Sequence, residues 1–133
     1  MFDGLGHTIS NLTINLPTTN NIGLFSNITS TAVTIRNVGL VSASISGLSN
    51  VGTLVGNTSG SIYNSFATGV VSGASNKIGG IVGIIGNSSV VRNIGSSVDV
   101  SASMTSSTYV GGAVGYAGIV PAAVANLRWV SLP

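Results

Sequence analysis

The chain has 133 residues, of which 44% are hydrophobic and only 5% are charged, and it carries a formal net charge of +2. Disorder would need low hydrophobicity and high net charge, so this composition predicts a folded chain of one domain at most. The absence of cysteine excludes disulfides and thiolate sites, and four scattered basic residues do not form the basic stripe of a nucleic-acid-binding protein.

The N-terminus begins Met1-Phe2-Asp3-Gly4 and has neither the basic segment nor the apolar segment of a signal peptide. No apolar run approaches the ~18 residues of a membrane-spanning helix, so we expect no membrane insertion. The opening phrase starts within a repeat unit, and we therefore expect residues 1–133 to be a single repeat domain from a longer chain.

Two phrases recur along the sequence and define a repeat. The first is an apolar–x–Asn phrase, whose asparagines are Asn11, Asn37, Asn64, Asn93 and Asn126. These are separated by 26, 27, 29 and 33 residues. The second is an apolar–Gly phrase that starts at Ile22, Val51, Ile78 and Val110, with steps of 29, 27 and 32 residues. Periods of this size indicate a solenoid, a propeller or an array.

Composition and period together select among these architectures. Glycine (19 residues), serine, threonine and β-branched residues disfavour a helical solenoid. Propeller blades need about 40 residues or more, so the period is too short for them. The sequence predicts an all-β fold, a β-solenoid of four to five coils of 26–33 residues, which we expect to be a right-handed parallel β-helix. Each coil would hold three short strands that pair with their copies about 4.8 Å along the axis.

The strands can be followed along the chain by their alternation. Residues 12–16, 41–46 and 98–104 alternate apolar and polar side chains, as half-buried strands do. Pro17 ends the first of these strands because proline cannot donate to a ladder. In residues 78–83 the apolar side chains cannot all face inward on a flat strand, so we expect a bulge or corner at the glycines.

The recurring asparagine has two physical interpretations. Stacked amides along the axis would form a hydrogen-bonded ladder, as in Asn/Gln ladders of stacked sheets. An inward ladder would satisfy donors and acceptors that burial otherwise leaves unpaired. Alternatively, each asparagine takes a left-handed turn conformation. We expect the five asparagines to form a structural ladder, and the sequence leaves both interpretations open.

Residues for catalysis are scarce. The chain has no glutamate, and its two aspartates, Asp3 and Asp99, lie on distant coils. His7 is the sole histidine, and a His7–Asp3 pair beside an activated serine is the one triad-like arrangement available. We expect these two residues to make a turn or an end contact instead. A metal site needs three or four ligands, so we expect no enzyme, no metal and no cofactor.

The basic and aromatic residues have two candidate roles each. Arg36 and Arg92 directly precede a repeat asparagine, and they either oppose sheet stacking or hold acidic glycans. Trp129 lies in the last coil, where it either caps the open end or forms a ligand platform. Asp3 and Arg128 have opposite charges near opposite ends, which favours a head-to-tail contact between copies.

The phrases Gly52-Thr53-Leu54-Val55-Gly56 and Gly79-Gly80-Ile81-Val82-Gly83, together with residues 62–73, resemble GLUG repeats. These repeats occur in large secreted bacterial proteins, including filamentous-haemagglutinin-like adhesins and some surface-anchored peptidases. The opening Phe2-Asp3-Gly4-Leu5-Gly6-His7 also resembles the start of such arrays. The resemblance implies a secreted or cell-surface location and a role as a stalk, spacer or adhesive shaft.

The function expected from the sequence is therefore a structural or adhesive shaft module. Its partners would be flanking repeats or further copies in end-to-end association, and a surface glycan is a further partner class. One alternative is a flat binder of ice or glycan, and another is a spacer of a larger surface peptidase. Ice binding needs a regular threonine array, which the repeat does not supply because Thr13 aligns with Gly39, Phe66, Gly95 and Arg128.

Overall fold

The computed structural model describes residues 1–103 and 109–118 in full and the main chain of residues 123–129. In these ranges the chain is built of β-strands and contains no helix. In chain order the strands are β1 Phe2–Asp3, β2 Thr8–Ser10, β3 Thr13–Asn15, β4 Phe25–Ile28, β5 Thr34–Arg36, β6 Gly39–Gly47, β7 Val55–Thr58, β8 Ser61–Gly73, β9 Ile78–Gly79, β10 Val82–Ile85, β11 Val90–Ala102, β12 Val110–Gly111, β13 Val114–Ala117 and β14 Ala123–Trp129.

The strands form three parallel sheets that wind around one axis. The long sheet contains β1, β2, β3, β5, β6, β8, β11 and β14, and the short sheet contains β4, β7, β10 and β13. A narrow third sheet of β9 and β12 continues through bridges that join Ile22 to Val51 and Val51 to Ile78. Each coil thus contributes one segment to each sheet, and the predicted β-solenoid is confirmed, with about four coils.

Stacked apolar columns form the core. Ile35, Ile62 and Val91 lie opposite one another on successive coils and are at most 1% exposed. Fully burying one such side chain contributes about 1.5–3 kcal/mol. Along β8 the burial alternates, with Val71 buried and Val70 exposed. The period-2 pattern of the sequence therefore determines which side of the long sheet faces the axis.

A corner at the glycines buries three apolar residues that a flat strand could not. Ile78, Ile81 and Val82 are all 0% exposed, because β9 ends before Gly80 and β10 begins after it. A side chain at Gly80 would clash with the Gly112 carbonyl of the next coil. The predicted corner is confirmed.

A bulge interrupts the long sheet in the second coil. The pairing of β6 with β8 shifts between Leu40 and Ala43, and Ser42 has a φ of 56°. Its main-chain N–H donates to Oγ1 of Thr68 over 2.9 Å, which replaces the ladder bond that the bulge removes. Leu40 and Ala43 are both buried as a result, whereas Val41 is half-buried.

The first coil starts earlier than the asparagine spacing predicts. Phe2 and Asp3 of β1 pair with Ile35 and Arg36, a step of 33 residues rather than 26. The predicted alignment of Asn11 with Asn37 is therefore wrong. The physical reason is that Phe2 takes the apolar place of the repeat phrase, and a turn over residues 4–7 then separates β1 from β2.

Candidate functional site

A hydrogen-bonded row of amides runs along the long sheet. Asn93 Nδ2 donates to Asn64 Oδ1 over 3.0 Å, and Asn64 Nδ2 donates to Asn37 Oδ1 over 3.3 Å. All three residues have φ between 49° and 55°, in the left-handed region. The two interpretations left open by the sequence thus describe one position, since each residue is a turn residue and also a rung of the row. We name this row the amide ladder.

The amide ladder faces outward rather than into the core. Asn64 and Asn93 are exposed and Asn37 is half-buried, so the inward placement expected for the amides is wrong. The neighbouring Ile62 and Ser65 are the buried residues, and the left-handed residue between them rotates its side chain to the solvent side. The ladder therefore relieves little burial cost, and its main role is to link successive coils at an accessible surface.

The other two predicted rungs do not extend the described ladder. Asn11 follows Ser10, which pairs with Val41, so Asn11 lies level with Ser42 of the bulge. Asn11 also has a positive φ of 60°, which accounts for an asparagine at this place. Asn126 belongs to β14, whose side chains lie outside the described residues.

Asp3 occupies the N-terminal end of the amide ladder. Its Oδ1 accepts hydrogen bonds from Asn37 Nδ2 over 3.0 Å and from the Leu5 main-chain N–H over 2.9 Å. Its Oδ2 forms an ion pair with Arg36 Nε at 2.8 Å. The Leu5 N–H has the largest effect in lowering the pKa of Asp3 below its ordinary value of 3.8, and the Asn37 amide has the next. A carboxylate only accepts hydrogen bonds, so it completes a row whose amides all donate toward it.

Beside the amide ladder, the residues that precede its asparagines form an outward row. β1, β5, β8 and β11 place Asp3, Arg36, Tyr63 and Arg92 opposite one another on four successive coils. Arg36 and Arg92 are exposed, and Tyr63 is half-buried. The sequence interpretation that these arginines point outward agrees with their positions.

On the other side of the ladder lies the ring of Phe66, which is 44% exposed. The ring covers Gly39 of the preceding coil, where any side chain would clash with it. Between the ring and the ladder is an open depression of about 190 Å³. Its lining residues are Gly6, Asn37, Val38, Gly39, Asn64 and Phe66.

Two further amide pairs were missed by the sequence interpretation. Asn50 Nδ2 donates to Asn21 Oδ1 over 2.8 Å, and Asn57 Nδ2 donates to Asn27 Oδ1 over 3.0 Å. Their separations of 29 and 30 residues match the local period, and that match is the signal by which both could have been found. The coil-to-coil linkage by side-chain amides therefore occurs on more than one side of the solenoid.

The structure does not assemble the His7–Asp3 pair. His7 is exposed, and its main-chain groups bond to Gly4 and Gly39. The Asp3 carboxylate is engaged by Leu5, Arg36 and Asn37. These residues act in the turn and at the end of the ladder. Within the described part of the chain, no three His, Asp or Glu residues gather as a metal site, and no helix is long and apolar enough to cross a membrane.

The predicted end contacts are only partly visible. The side chains of Arg128 and Trp129 lie outside the described residues, although their main chain pairs with Gly95 and Ser96. Asp3 is already paired with Arg36 of the same chain, so an intermolecular ion pair of Asp3 with Arg128 would have to compete with that bond.

The column that contains Thr13 differs from the predicted one. Thr13 pairs with Ser44, and that column continues through Val70 to Asp99. The predicted alignment of Thr13 with Gly39, Phe66, Gly95 and Arg128 is wrong, because Thr8 occupies that column in the first coil. In its corrected form the column still lacks the repeated threonine that ice binding requires.

Comparison with known proteins gives one relative. Over 96 residues, which are 72% of this chain, the sequence is 42% identical to halomucin of Haloquadratum walsbyi (strain DSM 16790 / HBSQ001). The chain spans only 1% of the length of that relative. No protein-family model matches the chain, and no solved structure matches it.

Proposed function

We propose that this chain is a structural shaft segment of a secreted or cell-surface repeat protein and has no catalytic site of its own. The observation that carries the proposal is the continuous parallel pairing of coil on coil. β8 and β11 pair over eleven residue positions from Ile62–Val91 to Gly73–Ala102. Such stacking makes a rigid element whose length increases by about 4.8 Å with each added coil.

The comparison supports the same role. A chain that matches 1% of a far longer relative at 42% identity resembles a short part of an extended protein. The GLUG-like phrases and the similarity to halomucin together support a location outside the cell membrane. The more specific identification, as part of a filamentous-haemagglutinin-like adhesin, belongs to this proposal and rests on those phrases.

The location is tested by labelling intact cells of the source organism with an antibody raised against the purified chain. We expect labelling without permeabilisation, as for a protein displayed on the surface or retained outside the cell. Labelling that requires permeabilisation, with no antigen in the medium, would contradict the location. A cytoplasmic protein of known abundance serves as the control for cell integrity.

The structural role is tested on the purified chain. We expect no hydrolysis of peptide, ester or glycoside substrates above the buffer rate, and a melting temperature that is unchanged by a chelator. Turnover that survives further purification and disappears in His7→Ala would contradict the absence of a catalytic site.

A further inference from the structure

The outward side of the long sheet is chemically divided along the strands. Near the start of β5, β8 and β11 it presents a row of two arginines and a tyrosine, with the amide ladder beside it. Nine residues further along, the corresponding row consists of the hydroxyl side chains of Ser46, Ser72 and Ser101. The positive charge and exposed aromatic surface of this sheet are therefore concentrated in one half.

Arg92 has no side-chain carboxylate within reach. The chain contains only two acidic residues, and Asp3 already pairs with Arg36 at 2.8 Å. Asp99 lies seven residues along the same strand, about 23 Å away at roughly 3.3 Å per residue. Since Arg92 is exposed, its planar guanidinium is available to bind a carboxylate from another molecule in a forked geometry.

Arg36 offers a second cationic group two coils away. It binds Asp3 through Nε, and its side chain is 44% exposed. Two coil spacings separate Arg36 from Arg92, which is about 9.6 Å along the axis. Tyr63 lies between them in the same row. A linear polymer that follows the axis would meet positive charge at both ends of this interval and an aromatic ring between.

The depression next to the row combines polar and apolar walls. The amides of Asn37 and Asn64 form one wall, and the exposed ring of Phe66 forms the other. Sugar rings have hydroxyl edges that bond to amides and C–H faces that pack on aromatic rings. A hydrocarbon ligand would leave the amides without use, and a small inorganic anion would leave the ring without use.

We propose that this surface, the arginine face, binds a linear acidic polysaccharide that bears carboxylates and runs along the solenoid axis. The arginine face consists of Arg36, Tyr63, Asn64, Phe66 and Arg92. The arginines pair with carboxylates, the amide ladder bonds to hydroxyl groups, and Phe66 packs against a sugar ring. This binding activity goes beyond the shaft role, because a shaft needs no ligand on its side.

The test is isothermal titration of the purified chain with polygalacturonate oligosaccharides at low ionic strength. We expect binding that weakens with added salt, and no binding of neutral dextran oligosaccharides. Arg92→Gln is expected to weaken binding about three- to fivefold, the size typical of one exposed charge pair. Phe66→Ser is expected to weaken binding by a similar factor through the loss of ring packing.

Two matched variants control for charge and for apolar surface. Lys77→Gln removes one positive charge at a different position, where its Nζ lies 5.4 Å from the centre of the Tyr116 ring. Val70→Ser removes an apolar side chain that is 48% exposed on the same sheet. Both are expected to bind as the parent does, and thermal melts confirm that all four variants are folded.

Three results would overturn the proposal. One is equal binding of dextran and polygalacturonate. Another is an equal loss of affinity in Lys77→Gln and Arg92→Gln, which indicates attraction by net charge alone. The third is binding of polyglutamate or of anionic lipid vesicles as tight as that of polygalacturonate and unaffected by Phe66→Ser. The shaft role would survive each of these outcomes, since it depends on the stacking and not on the arginine face.

Discussion

Asn93 donates a side-chain hydrogen bond of 3.0 Å to Asn64, its counterpart one coil earlier. Both residues have left-handed main-chain conformations, with φ of 53° and 49°. Asparagine adopts this conformation more readily than most residues that carry a Cβ atom. One residue type thus meets two requirements at this position, because it permits the turn in the main chain and links neighbouring coils through its side chain.

These two contributions can be separated by replacing Asn64 in two ways. Asn64→Ala removes both ladder bonds and leaves a Cβ atom at a positive φ, so we expect a loss of about 2 kcal/mol in unfolding free energy. Asn64→Gly removes the same bonds without the conformational cost, and we expect a loss of about 1 kcal/mol. Urea denaturation measures both. Equal losses in the two variants would show that the left-handed conformation contributes nothing.

The repeat could be predicted from the sequence because its signals are local. The 29-, 27- and 32-residue steps of the second phrase are the pairings of Ile22, Val51, Ile78 and Val110. The start of the first coil could not be predicted, because there Asp3 replaces an asparagine as the acceptor for Asn37. The outward direction of the amides also escaped prediction, since it depends on φ values that the spacing does not encode.

The arginine face was only partly predictable. The positions of Arg36 and Arg92 just before their asparagines indicated that both point outward. The role of Phe66 did not follow from alternation, because its ring is placed by the glycine opposite it on the preceding coil. A pairing of Phe66 with Gly39 becomes visible only when the 27-residue step between these coils is known.

Two glycines of the long sheet are expected to respond oppositely to alanine. Gly69 has a φ of 131°, and a Cβ atom there would clash with the Ala43 carbonyl oxygen. We expect Gly69→Ala to cost about 2–3 kcal/mol or to prevent folding. A Cβ atom at Gly95 would meet only the Phe66 Cβ at 3.8 Å, so Gly95→Ala should be neutral or stabilising by about 0.5 kcal/mol. A tolerated Gly69→Ala, by thermal melting, would contradict the described main chain.

Acid should weaken the first coil through Asp3. The pKa of Asp3 is lowered in the folded state, chiefly by the Leu5 N–H and next by the Asn37 amide. The ionised carboxylate therefore stabilises the fold above its ordinary pKa of 3.8, and this contribution is lost as the pH falls through the lower folded value. We expect the amide hydrogen exchange of residues 4–6 to accelerate over this range in the parent.

The acid response is simple to assign because the chain has only two acidic side chains. In Asp3→Asn, exchange at residues 4–6 should already be fast at neutral pH and should show no further increase on acidification. Asp99→Asn is the matched control and should retain the pH response of the parent. A parental response that is lost in Asp99→Asn and kept in Asp3→Asn would assign the effect to the wrong carboxylate.

The last prediction is that purified chains associate end to end through the first coil. The strands β1, β2 and β3 pair with the second coil on one edge, and the described residues place no strand on their other edge. Ile9 lies in the same column as Leu40, yet it is 36% exposed whereas Leu40 is 0% exposed. Unpaired edges that carry apolar side chains are templates for another strand.

A second copy would cover this edge with the strand at its own opposite end, β14. Such a contact joins two different surfaces and does not close, so it should build filaments without a preferred dimer. Sedimentation velocity should show a mass that rises continuously with concentration. Ile9→Lys places a charge at the open end and should keep the chain monomeric, whereas Val70→Lys, a charge on the lateral face of the long sheet, should leave association unchanged. A parent that remains monomeric at the highest concentration reached would refute end-to-end association.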